Sequence, residues 1–239
     1  MIHPTLLHIT HWKAGSQWIK KGLFSLYSNR IVTELPDNAE FLTQPVVPGA
    51  VYTPLYISKW QYDSVQVPEG TARFVVIRDL RDTLVSMYFS FKGPHPENSE
   101  AAKTTKAVLN SVSDESGYIY LIHEVLEYSA LIQRSWLEAG ERLFRYEDLL
   151  GDDLGTFREI LVNHCGLDVE TEHLDSAVRG HRFEKIVNRP RGTEDRTAHE
   201  RKGIAGDWRN HFTERIKVAF KDVYGKLLIQ TGYERDANW

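Results

Sequence analysis

Apolar and polar positions fall into blocks along the chain, and each block has a readable period. Leu6-Leu7-His8-Ile9-Thr10 is a short, nearly unbroken apolar run, which predicts a buried strand. A turn holding Lys13 and Gly15 follows, and then Trp18, Ile19, Gly22, Leu23 and Leu26 recur at helical spacing. Asn29 to Pro48 is irregular and punctuated by proline. Val51 to Ile57 reads as extended, with Pro54 confining it to a sheet edge or a bend. Arg73-Phe74-Val75-Val76-Ile77 is a second buried strand, and Leu84, Val85, Tyr88 and Phe91 mark one face of the helix after it. Lys92 to Lys106 is polar, with Gly93, Pro94 and Pro96, and reads as a loop or lid that lines an acceptor pocket. Gly117 to Leu137 predicts one long amphipathic helix, and Arg142 to Tyr146 a third short strand. Helices follow over Leu154 to Cys165, Thr171 to Val178 and Thr213 to Leu228.

Strands separated by helices predict an α/β fold: a central parallel sheet flanked by helices, in a single domain over residues 1–239. In such sheets ligands sit beyond the carboxyl ends of the strands. Lys13, Arg78 and Tyr146 each follow a strand end, so the pattern draws three chemically suited residues toward one crevice. The first turn also opens a helix, where free backbone N–H groups and the positive dipole end favour an anion.

Composition narrows the anion. The formal net charge is −4, which argues against nucleic acid as a partner. Within this acidic chain, Arg179 to Lys202 holds eight Lys/Arg and four Asp/Glu, a local excess that suits a small anionic ligand. The lone cysteine, Cys165, excludes an intrachain disulfide and fits a packed thiol in a reducing compartment. With no membrane-length apolar run and no leader-like start, the expected location is cytoplasmic, with no membrane partner. His8 and His11 lie three apart around a strand end and read as structural rather than as metal ligands. Neither a Walker A loop nor a G-x-G-x-x-G fingerprint is present, which disfavours nucleotide kinases and dinucleotide enzymes.

Four stretches, in order, resemble the sulfotransferase family that uses 3′-phosphoadenosine 5′-phosphosulfate (PAPS). His11-Trp12-Lys13-Ala14-Gly15-Ser16-Gln17-Trp18 is similar to the family's 5′-phosphosulfate loop, Y-P-K-S-G-T-T-W. Arg78 to Ser86 is similar to the 3′-phosphate motif, an Arg followed eight positions later by Ser. Phe144-Arg145-Tyr146-Glu147-Asp148-Leu149 resembles F-x-Y-E-D-L, and Arg201 to Thr213 resembles R-K-G-x-x-G-D-W-K-N-H-F-T. The resemblance implies a P-loop-NTPase-like sulfotransferase fold, PAPS as co-substrate, 3′,5′-bisphosphoadenosine (PAP) as product, no metal, and a small-molecule hydroxyl or amine acceptor. It implies that Lys13 is catalytic, stabilising charge on the leaving phosphate. It also implies that Lys13, Ala14, Gly15, Ser16, Gln17 and Trp18 hold the 5′ end. Arg78, Ser86 and the Arg201-Lys202-Gly203 segment would hold the 3′-phosphate, with Trp18, Phe183 and Tyr146 near the adenine. Plain structural readings stand beside these: Trp18 and Tyr146 as core aromatics, Ser86 as an ordinary helix residue, Arg78 as a partner of Asp82.

The chain departs from the family at three places. The usual K-T-H base is missing, since no His lies between Gln17 and Asp82. Tyr56, Ser58, Lys59, His8, His11 and His95 remain open as substitutes, and a protein that binds the nucleotide without transferring sulfuryl is the alternative reading. Ala14 and Gln17 replace hydroxyl residues of the loop. Glu214 and Val218 depart from the family's dimer element, leaving the oligomeric state open.

Overall fold

The computed structural model describes residues 3–32, 38–93, 99–196, 198 and 200–239. The strands are β1 (Leu6–Thr10), β2 (Ile31–Val32), β3 (Val51–Leu55), β4 (Ala72–Ile77) and β5 (Leu143–Arg145). The helices run α1 (Ser16–Tyr27), α2 (Ala39–Thr43), α3 (Lys59–Asp63), α4 (Leu80–Lys92), α5 (Glu100–Ser111) and α6 (Asp114–Glu124). They continue with α7 (Glu127–Glu138), α8 (Tyr146–Gly151), α9 (Asp153–Arg158), α10 (Thr171–Gly180), α11 (Phe183–Val187) and α12 (Glu214–Gln230).

The described chain forms two compact units, each drawn from two stretches: Met1–Arg78 with Leu131–Asn188, and Asp79–Ala130 with Arg189–Trp239. The first unit holds the sheet, ordered β2-β3-β1-β4-β5 and parallel throughout. Its strands are apolar on both faces because helices cover them, as expected for a parallel sheet. Leu6, Ile19, Leu23, Phe74, Val76, Phe144 and Phe157 share one buried cluster there. Adjacent parallel strands place the ends of β1, β4 and β5 side by side, where Lys13, Arg78 and Tyr146 follow.

Pro54 is not on a sheet edge, since β3 pairs with β1 on one side and β2 on the other. Two features accommodate it. The pairing with β2 involves only Val51 and Tyr52. On the β1 side the register slips between Leu7 and Ile9, which gives Thr53-Pro54 a bulge without a ladder donor.

The second unit is helical. The polar segment expected as a loop is helical from Glu100, because Ala102, Thr105 and Leu109 give it a thin buried stripe. The expected long helix is two, α6 in this unit and α7, most of which belongs to the first unit, broken at Val125–Leu126 where both amides turn back to the Leu121 carbonyl. Tyr224 of α12 donates its hydroxyl to the Ile122 carbonyl of α6 at 2.9 Å. Among the described residues no helix is long and apolar enough to cross a membrane.

Candidate functional site

The turn after β1 is built from unusual backbone. Lys13 has φ 66° and Gly15 φ 78°, so two of three consecutive residues are left-handed. For Gly15 this is free of Cβ strain, whereas for Lys13 it is a conformation that the surroundings must enforce. Lys13 is held by Arg78, whose Nη1 donates to the Lys13 carbonyl at 2.9 Å. Gly15 is also fixed by shape, because a Cβ there would lie 2.6 Å from two ring carbons of Tyr146. The Arg78 guanidinium in turn lies 4.8 Å from the Tyr146 ring centre, and Trp18 meets that ring edge-on at 6.2 Å. The structure thus brings Lys13, Gly15, Trp18, Arg78 and Tyr146 together at the ends of β1, β4 and β5.

Helix α1 starts from this turn without a side-chain cap and without an acid in its first turn. By contrast α4, α5, α6 and α12 are each capped by a side chain, from Asp79, Ser99, Ser113 and Thr213. The first intrahelical bond of α1 runs from Ile19 N–H to the Gly15 carbonyl at 3.1 Å. The amides of Ser16, Gln17 and Trp18 therefore precede the helical ladder, in the position where an anion is best bound. Ala14 and Ser16 are buried and Gln17 is exposed. The Ser16 hydroxyl accepts from Tyr56 at 2.9 Å, so a sequence-distant tyrosine orients the loop.

Buried histidines lock the strand ends together. His11 is fully buried; its Nδ1 donates to the Trp12 carbonyl at 2.9 Å. That leaves Nε2 as an acceptor, and it receives the Arg78 backbone N–H at 3.1 Å and the Gln133 amide at 2.8 Å. Gln133 also donates to the Arg78 carbonyl at 2.7 Å. Burial lowers the His11 pKa to about 4 and the His8 pKa to about 3, so both are neutral rings in the fold. His8 stacks on Phe74 at 4.9 Å and bonds Thr53 Oγ1 at 2.8 Å. Both nitrogens of His11 are thus engaged, whereas His8 Nε2 is buried without a hydrogen-bond partner. Of the other base candidates, Ser58 is the cap of α3 and Lys59 pairs with Asp63 at 2.5 Å. Burial raises the Tyr56 pKa above its ordinary value, keeping its hydroxyl protonated. His95 lies outside the described residues. Among the described residues no cluster of three or more His, Cys, Asp or Glu has metal-binding geometry. Burial pushes the Cys165 thiol up to about 12, which keeps it protonated and unreactive.

The remaining candidates lie in the second unit, apart from Phe183. That residue opens α11 in the first unit, and the preceding Arg182 pairs with Asp153 at 2.6 Å. Ser86 is half-buried on α4. Asp82 of the same helix accepts the Gly206 N–H at 2.6 Å and the Trp208 N–H at 2.9 Å, tying the Arg201–Trp208 loop to the first turn of α4. Its neighbour Arg81 is buried, pairs with Asp79 at 2.7 Å and Glu234 at 2.5 Å, and lies 4.0 and 4.4 Å from the ring centres of Trp208 and Trp239. Arg201 bonds Glu194 and Asp207, and Lys202 bonds Asp207 at 2.6 Å. Gly203 is left-handed at φ 65°. Burial opposes the charge on Asp207, but hydrogen bonds from Lys202, Arg201 and Asn210 prevail and hold its carboxyl below the usual range. Asp207 lies within the Arg201–Thr213 stretch and Glu194 among the acids of the basic segment, but their pairing with Arg201 has no sequence signal. Gln133 belongs to no motif; its signal is a polar residue on the apolar face of α7 between Ala130 and Trp136.

A family model described as a sulfotransferase domain matches residues 69–232. Three of the four stretches resembling the family lie inside that range, and His11–Trp18 precedes it. Sulfotransferase 2A1 of Rattus norvegicus is 29% identical over 164 residues, which is 62% of this chain and 54% of that protein. Sulfotransferase 2A6 of Mus musculus is 27% identical over 169 residues, 64% of this chain and 55% of that protein. The chain thus spans about half the length of the curated relatives it matches. Mouse sulfotransferase SULT7A1 complexed with PAP has a TM-score of 0.68 to this structure at 18% identity, covering 98% of this chain and 90% of that one. Retinol dehydratase in complex with androsterone and inactive cofactor PAP gives 0.57 at 14% identity, over 95% and 82%. The two structures share the fold, and the family model spans well over half the sequence: the chain belongs to the sulfotransferase domain family.

Proposed function

We propose that the chain transfers a sulfuryl group from PAPS to a hydroxyl or amine of a small-molecule acceptor. The observation that carries the reading is the turn at Lys13. A left-handed Lys13–Gly15 turn, braced by Arg78 and Tyr146, leads directly into the uncapped start of α1. That combination suits a 5′-phosphosulfate. The amides after Gly15 bind the phosphate oxygens, and the close approach of Gly15 to Tyr146 excludes a side chain where the ligand's backbone contacts lie. Arg78, Ser86 and the Arg201–Gly203 segment are assigned to the 3′-phosphate, and Trp18, Phe183 and Tyr146 to the adenine side.

In the transfer, the bond from sulfur to the bridging oxygen of the 5′-phosphate breaks as a bond from sulfur to the acceptor forms. The acceptor's proton passes to solvent water. Charge develops on the leaving phosphate, and Lys13 is the residue assigned to stabilise it. Alignment of donor and acceptor supplies much of the remainder, as in phosphoryl transfer. The described residues offer no poised base beside the loop, so acceptors of higher intrinsic acidity, phenols above aliphatic alcohols, are the ones this site serves best. The structures of retinol dehydratase with retinol or androsterone and PAP make apolar alcohols the comparison class.

The test has two arms. Calorimetric titration with PAP and with ATP reads binding, and transfer of radiolabelled sulfuryl from PAPS to phenol and alcohol panels reads chemistry. PAP binding well ahead of ATP, with label passing to a phenol, supports the reading. Preference for ATP overturns it, and binding of PAP without transfer to any acceptor replaces it with a nucleotide-binding role.

A further inference from the structure

Arg201 carries two carboxylates on one guanidinium. Its Nη1 bonds Glu194 and its Nη2 bonds Asp207. The side chain keeps only 11% of its surface exposed, and its guanidinium lies 4.4 Å from the centre of the Phe89 ring. A phosphate therefore cannot engage the fork of Arg201 unless one carboxylate gives way.

The two carboxylates differ in how firmly they are held. Asp207 is 2% exposed and also takes Lys202 at 2.6 Å and the Asn210 amide at 2.9 Å. It sits beside Trp208, whose backbone N–H is fixed on Asp82. Glu194 keeps 26% of its side-chain surface, and its second partner is Arg196 at 3.1 Å, a residue 66% exposed. The backbone of its segment is held alongside by Gly192 N–H to the Lys202 carbonyl at 2.8 Å, Asp195 N–H to the Arg201 carbonyl at 2.9 Å and Arg189 Nε to the Thr193 carbonyl at 3.2 Å, none of which involves the Glu194 side chain. Burial disfavours the Glu194 charge, but hydrogen bonds from Arg201 and Arg196 outweigh it and keep the carboxyl ionised. Glu194 can move off Arg201 without breaking the loop, whereas Asp207 cannot.

We propose that Glu194 is a resident anion on Arg201 that the nucleotide's 3′-phosphate displaces, and that it thereby sets the affinity for a 3′-phosphorylated nucleotide. This rests on the assignment of Arg201 to the 3′-phosphate. An amide at position 194 keeps the shape of the side chain and removes the competing charge, so the phosphate meets a less satisfied guanidinium.

The experiment is calorimetric titration of wild type, Glu194→Gln, Glu194→Ser and Arg201→Ala with PAP and with 5′-AMP, which lacks the 3′-phosphate. Both Glu194 variants are expected to bind PAP more tightly, by roughly fivefold for an exchange of one partly exposed ion pair, with 5′-AMP unchanged. Arg201→Ala is expected to weaken PAP and leave 5′-AMP unchanged. A gain in affinity cannot arise from partial unfolding, so the sign protects the test. If Arg201→Ala leaves the PAP to 5′-AMP ratio as in wild type, the 3′-phosphate assignment itself is lost. If that ratio collapses in Arg201→Ala but the Glu194 variants bind PAP no better than wild type, or tighten both nucleotides equally, the displacement proposal is overturned and the assignment stands.

Discussion

Replacing Gly15 by alanine tests the architecture of the loop with two separable costs. The backbone there has φ 78°, and an L side chain held in the left-handed region costs about 1–2 kcal/mol. The added methyl would also sit 2.6 Å from two ring carbons of Tyr146, well inside contact distance. That ring is buried and has Arg78 against it at 4.8 Å and Trp18 edge-on at 6.2 Å, so it cannot swing clear. Overpacking of this kind costs about 1–3 kcal/mol, which brings the sum for Gly15→Ala to about 2–5 kcal/mol. Urea denaturation of wild type, Gly15→Ala, Tyr146→Ala and the double variant separates the two. With the ring removed only the backbone cost remains, so the double-variant cycle should show a favourable coupling of about 1–3 kcal/mol. A Gly15→Ala cost that is the same with and without Tyr146 would refute the claim that the ring shapes this turn. The same variant should lose PAP affinity, since the amides after Gly15 are displaced.

Two further perturbations test the surroundings. Stability should fall as pH drops below about 6.5, because His8 and His11 are neutral in the fold with pKa about 3 and about 4 while the unfolded chain takes up protons. The full contribution is present above pH 6.5, and by pH 4 the loss from His11 alone is on the order of 3 kcal/mol, to be read as a shallower pH slope in His11→Asn. Arg81→Ala strips the partner from Asp79 and Glu234 and removes the cation between Trp208 and Trp239, at a cost of about 3–5 kcal/mol in urea denaturation. A loss under 1 kcal/mol would show that this cluster does not brace the second unit.

What the chain's pattern disclosed depended on range. Arg73–Ile77 and Leu6–Thr10 announce themselves as strands because burial on both faces demands unbroken apolar runs. Once the strands are placed, Lys13, Arg78 and Tyr146 follow from topology, since parallel strands end on one side. Ile31–Val32 is too short to have a period. The break between α6 and α7 is hidden because apolar residues continue through Val125 and Leu126, and only the backbone bonds to Leu121 reveal it. The start of α5, within the Lys92–Lys106 stretch that reads as a loop, is obscured because three buried side chains are a thin stripe in a polar segment. The supporting residues of the site were the least legible. Gln133 reaches His11 across more than a hundred residues, and Glu194 reads as one acid in a mixed-charge stretch until Arg201 is seen beneath it.

The central claim is that Lys13 stabilises the phosphate that leaves when sulfuryl is transferred. The most direct measurement is single-turnover transfer from radiolabelled PAPS to a phenol, compared between wild type and Lys13→Ala, with PAP affinity measured on the same preparations. The account predicts transfer slowed by roughly 100- to 1,000-fold in Lys13→Ala, with PAP affinity changed far less. Equal losses of transfer rate and of PAP affinity would reduce Lys13 to a binding residue and contradict the account.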